Sequence, residues 1–556
     1  IFVPQETYEM PPRRTITPLP LEELCLTEVM NYLERELIFC GQVRRYQQNS
    51  LLLRRRGIDA DSLVAELRGH LDGLPPLLSE MVRQKITNKL LKNTKAMANQ
   101  PGLLVGLLDI VLNKEVKTLE LGDSRLRSDF EIWPLILKKC TGLERFVLGS
   151  NMFGSKGVLA IQPFLTTLTS NCPMLTELIL KDAVRGSLTL ATIGKSCNRL
   201  RTLDITGSQI NCSDLIHLCV QSPPSFTSDL PLDNTSEDDL NPLCQTLEVL
   251  FLGNTHVRAK GAAFVLRVIP NLTSLGNFVF TAAGLRRLYG LKTRPWPGHK
   301  LKHAFYRGPS NVKLKVLANC CPALESLFVG SDAPRRVHFH NFSAFKMLRR
   351  LTLENIHCED IMAGLKHTPN LVHLQISSVG VDFGIVGQCC PLLEKLTVSK
   401  EPSRTVTLPP NRGPLYTELQ ELKMTCTISL ECGAMFLTNA TKLRNIEITR
   451  IRDLTDDILA SWLRKNPLQQ LETLIFRYIE LTRESVDMLL ACCPRLCRLG
   501  ELGSWDIRSW ECRRLKDLVV QENYALHLVF YTRTAVNISD IITENWTSDE
   551  DIEEQL

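Results

Sequence analysis

The chain has 556 residues, 44% hydrophobic and 22% charged, with 65 basic against 60 acidic side chains and a net charge of +5. This is ordinary globular composition with material for a large core, and the charge is too balanced to point to nucleic acid or a membrane surface as partner. No apolar run reaches the roughly 20 residues needed to span a bilayer, and no signal peptide is visible, although a chain opening on Ile1 leaves room for an upstream segment.

Residues 1–20 are Pro-bearing through Pro18-Leu19-Pro20 and read as irregular. Residues 21–110 carry no repeat and read as a helical region. Pro20 suits a helix start, where its missing N–H is not needed. Leu21, Cys25 and Val29 follow at i, i+4 and i+8, which places them on one narrow stripe of a helix. A second helix is expected to open at Leu74-Pro75-Pro76-Leu77-Leu78, with Leu78, Val82 and Ile86 again at i+4 spacing.

From about residue 111 to 510 the chain rewrites one line. Cys172-Pro173-Met174-Leu175-Thr176-Glu177-Leu178-Ile179-Leu180 is one copy, Cys321-Pro322-Ala323-Leu324 opens another, and Cys390-Pro391-Leu392-Leu393 a third. Aligned on the first Leu of each strand, the copies run from Val116 through Leu143, Leu175 and Leu200 to Leu471 and Leu496, mostly about 22–32 residues apart. Two gaps are double length. One is split at Leu301, where Leu301-Lys302-His303-Ala304-Phe305-Tyr306 reads as a degenerate strand; the other holds a polar, acidic insertion over residues 221–241. After the repeats, residues 511–546 read as a cap, with a helix around Trp510–Val519, and residues 547–556 as an acidic disordered tail in which Ser548 precedes three acids.

This period predicts an α/β solenoid of about 14–15 units, each a strand and a helix, with parallel strands lining a concave face. It is similar to leucine-rich repeats, and the Cys-Pro variant resembles the cysteine-containing class frequent in substrate receptors of ubiquitin ligases. Strand side chains alternate, so the residues between the leucines make the candidate partner surface. Val249, Phe251, Phe328, Arg350, His373 and Arg477 are its leading members, the aromatic and aliphatic ones because clustered apolar groups on an exposed face mark interfaces. The same alignment places Cys140, Cys172, Cys197, Cys321, Cys390 and Cys493 in one slot, so most of the 19 cysteines read as small buried fillers. Reduced thiols imply the cytosol or nucleus.

Pro20, Leu21, Cys25 and Val29 together resemble the BC box through which substrate receptors bind Elongin C by laying a helix into a groove. Leu74, Pro75, Leu78 and Val82 resemble a cullin box of the cullin-2 type, though they follow the first box by more than forty residues, longer than in the simplest family members. The layout is similar to the Zyg eleven family of receptors. The resemblance implies a substrate-recognition subunit of a cullin–RING ubiquitin ligase, with Elongin B/C and a cullin-2-type scaffold as partners and a protein substrate on the concave face. The Leu-Pro stretch also resembles the opening of an F-box, which implies Skp and its cullin instead. A repeat scaffold without a ligase role is the third reading. No phosphate loop, His-Glu-x-x-His or Gly-x-Ser-x-Gly pattern occurs, so neither catalysis nor a metal or cofactor is expected.

Overall fold

The computed structural model describes residues 101–121, 132–149, 155–222, 237–290, 298–308, 310–403, 406–407 and 415–530, together with Ala65, Arg68, Gly69, Arg83, Gln84 and Thr87. Leu21, Cys25, Val29, Leu74, Pro75, Leu78 and Val82 lie outside the described residues. The chain divides into two compact units between Lys292 and Thr293.

The first unit alternates helix and strand: α1 (Pro101–Val111), β1 (Thr118–Leu121), α2 (Ile132–Lys139), β2 (Arg145–Leu148), α3 (Ser155–Asn171), β3 (Glu177–Leu180), α4 (Ser187–Ser196), β4 (Thr202–Asp204), α5 (Asp214–Cys219), α6 (Leu243–Thr246), β5 (Val249–Phe251), α7 (Ala259–Val268) and α8 (Thr281–Tyr289). Its five strands pair in sequence order, all parallel.

The second unit runs β6 (His303–Arg307), α9 (Asn311–Cys320), β7 (Ser326–Arg335), β8 (Arg350–Ile356), α10 (Cys358–Leu365), β9 (His373–Ser377), α11 (Phe383–Cys389), β10 (Lys395–Val398), β11 (Glu421–Ile428), α12 (Leu430–Asn439), β12 (Asn445–Ile451), α13 (Asp456–Lys465), β13 (Thr473–Phe476), α14 (Arg483–Cys492), β14 (Arg498–Gly500), α15 (Ser509–Gln521) and β15 (His527–Val529). Its sheet is ten-stranded, again in sequence order. Both units are leucine-rich-repeat solenoids, each copy paired only with its neighbours.

The repeat anchors explain this stacking. Leu175, Leu178 and Leu180 are fully buried, as are Leu393, Leu396 and Val398 in the second unit. Each such side chain contributes about 1.5–3 kcal/mol when removed from water. Between them the strands alternate half-buried and buried residues, the pattern of a sheet with one face in the core.

The cysteine slot has a polar purpose besides filling space. The Cys172 thiol donates to the Cys140 carbonyl at 3.2 Å, Cys197 to Thr169 at 3.8 Å, Cys244 to Cys219 at 3.5 Å and Cys493 to Pro467 at 3.7 Å. Each thiol thus answers a buried carbonyl at or near the end of the preceding copy's helix, one of the groups a helix leaves unpaired. Asn241 and Asn466 do the same with stronger donors: Asn466 Nδ2 donates to the carbonyls of Leu437 at 2.9 Å and Ala440 at 3.2 Å.

The repeat reading, in which Leu272 is a further anchor between Leu247 and Leu301, is refined at four points. Leu301 does introduce a regular strand, β6. Leu272, by contrast, introduces only a single bridge, between Ser274 and Val249, and β5 and β6 belong to different sheets. A helix, α15, covers the expected Trp510–Val519 stretch, and it is followed by one more parallel strand, β15, paired to β14. The insertion is closed at its base by an antiparallel bridge between Val220 and Leu240.

Candidate functional site

Because the leucines of every strand turn toward the helices, the opposite face of each sheet is lined by the residues between them. Parallel register stacks these into columns. In the first unit one column reads Thr118, Arg145, Glu177, Thr202 and Val249, and the next Glu120, Val147, Ile179, Asp204 and Phe251. Arg145 lies between Glu120 at 3.3 Å and Glu177 at 3.1 Å. Asp204 is almost wholly buried, and burial pushes its carboxyl above the usual range, opposed by bonds from Thr206 and by Lys181 at 3.9 Å. Val249 and Phe251 are half-buried at the sheet edge. The Phe251 ring packs on Gly276, where an added Cβ would lie 2.2 Å from it and where φ is +65°. A glycine is required there on both counts.

The second unit carries different side chains on the same frame. Its first column is basic over β8 to β10, with Arg350 exposed beside half-buried His373 and Lys395. Further along it holds Glu421, Asn445, Thr473 and Arg498. The second column runs Thr352, Gln375, Thr397, Lys423, Glu447 and Ile475. Lys395–Glu421 at 2.8 Å and Lys423–Glu447 at 3.3 Å join neighbouring strands. Both pairs are partly exposed, so each is worth about 0–1 kcal/mol. Burial lowers the pKa of His373, and the adjoining charges of Arg350 and Lys395 lower it further.

A third column runs Arg307, Gly330, Glu354 and Ser377, with Ser399 bonded beside it; Thr425 and Thr449 follow the paired Met424 and Ile448 where the β11–β12 register shifts, and Arg477 bonds to the Ile448 carbonyl. The four hydroxyl residues are all half-exposed, and none of their side chains is hydrogen-bonded within the chain. Arg477 is mostly buried, with Glu501 at 3.6 Å and Glu447 at 4.0 Å.

Among the sequence-based candidates, Arg350 and His373 are adjacent across β8 and β9, and Arg477 lies on the same face, past β13. Val249 and Phe251 belong to the first unit. Phe328 does not fit the expectation of an exposed ring. It is fully buried, stacked on Phe305 with centroids 4.1 Å apart and planes within 8°. A neighbouring ring at the same position of the previous copy gives it an aromatic partner inside the protein. The hydroxyl residues were missed, although a signal was present: Ser377, Ser399, Thr425 and Thr449 each follow the last buried aliphatic residue of the strand line, Ile376, Val398, Met424 and Ile448.

Other chemistry is sparse on this face. Among the described residues no group of three or more His, Cys, Asp or Glu is placed to hold a metal ion. Burial pushes the Cys140, Cys197 and Cys390 thiols up to about 12, which keeps them protonated and poor nucleophiles. No described helix is long and apolar enough to cross a membrane.

No protein-family model matches the sequence, and no curated protein matches it. Solved structures do resemble it in fold. A leucine-rich-repeat protein of Leptospira interrogans is 15% identical, with a TM-score of 0.38, over 79% of this chain and 98% of its own. The Rad7–Elc1 complex of yeast gives 12% identity and 0.37 over 82% and 93%, and an internalin of Listeria monocytogenes 15% and 0.32 over 80% and 94%. At such identities and TM-scores the likeness says nothing of function.

Proposed function

We propose that this chain is the substrate-recognition subunit of a cullin–RING ubiquitin ligase. The observation that carries the reading is the run Pro20, Leu21, Cys25 and Val29, a complete BC-box spacing, set ahead of a repeat array that offers a broad side-chain face and no catalytic constellation. Leu21, Cys25 and Val29 bind Elongin C, and Leu74, Pro75, Leu78 and Val82 select a cullin-2-type scaffold. The open faces of the repeats hold a protein substrate, through Val249 and Phe251 in the first unit and Arg350, His373 and Arg477 in the second. The chain then acts by proximity, raising the effective concentration of substrate lysines at the conjugating enzyme. It works in the cytosol or nucleus, and no cofactor enters. Because Leu74-Pro75-Pro76-Leu77 also resembles an F-box, Skp is the alternative adaptor.

Affinity purification of the full chain from cells separates these readings. Recovery of Elongins B and C with wild type, and their loss with Leu21→Ser/Cys25→Phe, supports the first. Recovery of Skp without Elongins selects the F-box version. Recovery of neither leaves a scaffold without a ligase role.

A further inference from the structure

The open face of the five-stranded unit combines apolar side chains with an excess of negative charge. Its register runs without a shift from β1 to β5, so its two columns lie side by side along their whole length. In the second column Val147 and Ile179 are neighbours, Asp204 follows on β4 and Phe251 on β5, with Val249 in the first column of the same strand. Val147, Ile179, Val249 and Phe251 are each half-buried, so each keeps apolar surface in water.

The cations of these columns and of the turn after β3 are already engaged. Arg145 is shared by Glu120 and Glu177, and Lys181 stands 3.9 Å from Asp204. Asp182 is different, being exposed and without an ion pair among the described residues. Arg145 and Lys181 therefore face the carboxylates of Glu120, Glu177, Asp204 and Asp182. Asp182 is held close to the β4 turn: its N–H donates to the Thr206 carbonyl at 2.8 Å, and its carboxylate lies on Gly207, where an added Cβ would fall 1.9 Å from Oδ1. Partial burial, and then the charge of Asp204, raise the Asp182 carboxyl above its ordinary range, with Lys181 opposing. The two carboxylates thus repel each other beside a single ammonium group, and a second cation there would be stabilised.

We infer that this face docks a segment of a partner protein in which Lys or Arg alternates with aliphatic side chains. The aliphatic groups cover Val147, Ile179 and Phe251, and a cation meets Asp182 at the rim with the Asp204 charge behind it. Apolar contact carries most of the affinity, and the carboxylates select the sign of the charge. Strands lie about 4.8 Å apart, so β1 to β5 spans roughly 19 Å. An extended chain rises about 3.3 Å per residue, which makes the footprint about six residues. The chain as a whole carries a net charge of +5, so a cationic segment gains nothing from the overall charge and depends on this local excess of carboxylates.

The inference deepens the substrate-receptor reading and rests on it for biological meaning, but its test does not depend on the adaptor. The probe is a fluorescently labelled (Lys-Leu-Ser)4 peptide, with (Glu-Leu-Ser)4 and (Lys-Ser-Ser)4 as comparisons, titrated against the purified full chain by anisotropy. The first peptide binds, the other two bind far more weakly, and affinity falls as salt is raised from about 50 to 200 mM. Asp182→Asn, which keeps the side-chain shape and tolerates the left-handed backbone there, weakens binding about threefold to fivefold and flattens the salt dependence. Val147→Thr/Ile179→Thr weakens it about tenfold and leaves the salt dependence unchanged, because apolar area is lost and no charge is altered. Equal binding of (Glu-Leu-Ser)4 or (Lys-Ser-Ser)4 overturns the inference. So does indifference to either variant in a chain whose unfolding temperature matches wild type, since the peptide is then held elsewhere. If (Lys-Leu-Ser)4 fails to bind while Elongins still co-purify, only this inference falls. If it binds as expected while no adaptor is recovered, the ligase reading falls and this surface stands.

Discussion

In the five-stranded unit the second column of the open face reads Glu120, Val147, Ile179, Asp204 and Phe251; in the ten-stranded unit the same column reads Thr352, Gln375, Thr397 and Lys423 over β8 to β11. The core positions of the two units are interchangeable leucines, so the frame does not set this difference. A repeat fold separates the two tasks: the leucines fix the stack, and the positions between them are free to become apolar and acidic in one unit, hydroxyl-rich and basic in the other. The first unit's face carries apolar side chains at Val249 and Phe251, and the second unit's face polar and charged ones.

The largest expected effect tests how tightly the first unit is stacked. A Cβ on Gly194 would stand 2.1 Å from the Leu218 carbonyl oxygen and 2.6 Å from Asn241 Nδ2. Gly194→Ala should destabilise by about 3 kcal/mol or more, at the upper end of overpacking, whereas Gly298→Ala in the second unit, whose nearest neighbour would be Pro322 at 3.5 Å, should be close to neutral. Thermal unfolding of the two variants measures the contrast. If both behave alike, the helices of α4 and α5 are not as closely apposed as described.

The carbonyl-answering slot gives a graded pair. Asn466→Ala leaves the Leu437 and Ala440 carbonyls without a buried donor and should destabilise by about 2–3 kcal/mol. Cys493→Ala removes one long thiol contact at 3.7 Å and should lose about 1 kcal/mol. Urea midpoints at constant m-value decide between this order and its reverse.

Acid sensitivity should be marked in the ten-stranded unit. Burial lowers the pKa of His299, His303 and His373 below the ordinary imidazole value. Below about pH 6.5 the unfolded chain takes up protons that these folded imidazoles refuse. Their stabilising contribution is therefore full above that value and is lost as pH falls through it. The unfolding temperature should drop between about pH 7.5 and 5.5, and His303→Gln/His373→Gln should flatten that drop. An unchanged slope would show that other groups control it.

Thiol labelling sharpens the same picture at smaller energetic scale. Exposed Cys497 should react first with a disulfide reagent, while buried Cys140, Cys197 and Cys390, held up at about 12, should react only on unfolding. The smallest effect is expected at Tyr478. It holds φ at +54° and is 65% exposed, in a left-handed slot filled by Asp182, Asn254 and Asn355 in other copies. Tyr478→Asn should stabilise by about 1 kcal/mol, since Asn tolerates that conformation better.

Much of this architecture was legible because a leucine-rich repeat writes its core at fixed spacing. Leu143, Leu175, Leu200, Leu393 and Leu471 are each fully buried as the alignment requires, and even the degenerate copy at Leu301 forms a strand. The period also identified the cysteine slot, but not that its thiols answer carbonyls of the preceding copy, because that depends on how helix ends meet across copies. Phe328 shows the limit most clearly. Its position in the line is an outward one, but burial there is decided by the ring of Phe305 beside it and by what covers both, which no spacing rule contains. The hydroxyl residues were passed over for the opposite reason: small polar residues on an exposed strand carry no signal singly, and only the strand bonding brings Ser399 beside Ser377.

The proposed adaptor contact runs through Leu21, Cys25 and Val29. Titration calorimetry of the purified full chain with purified Elongin B/C tests it directly. The account predicts saturable binding at one site, abolished by Leu21→Ser/Cys25→Phe and unaffected by Arg350→Glu on the repeat face. No heat of binding with the wild-type chain, or binding that survives Leu21→Ser/Cys25→Phe unchanged, would contradict it.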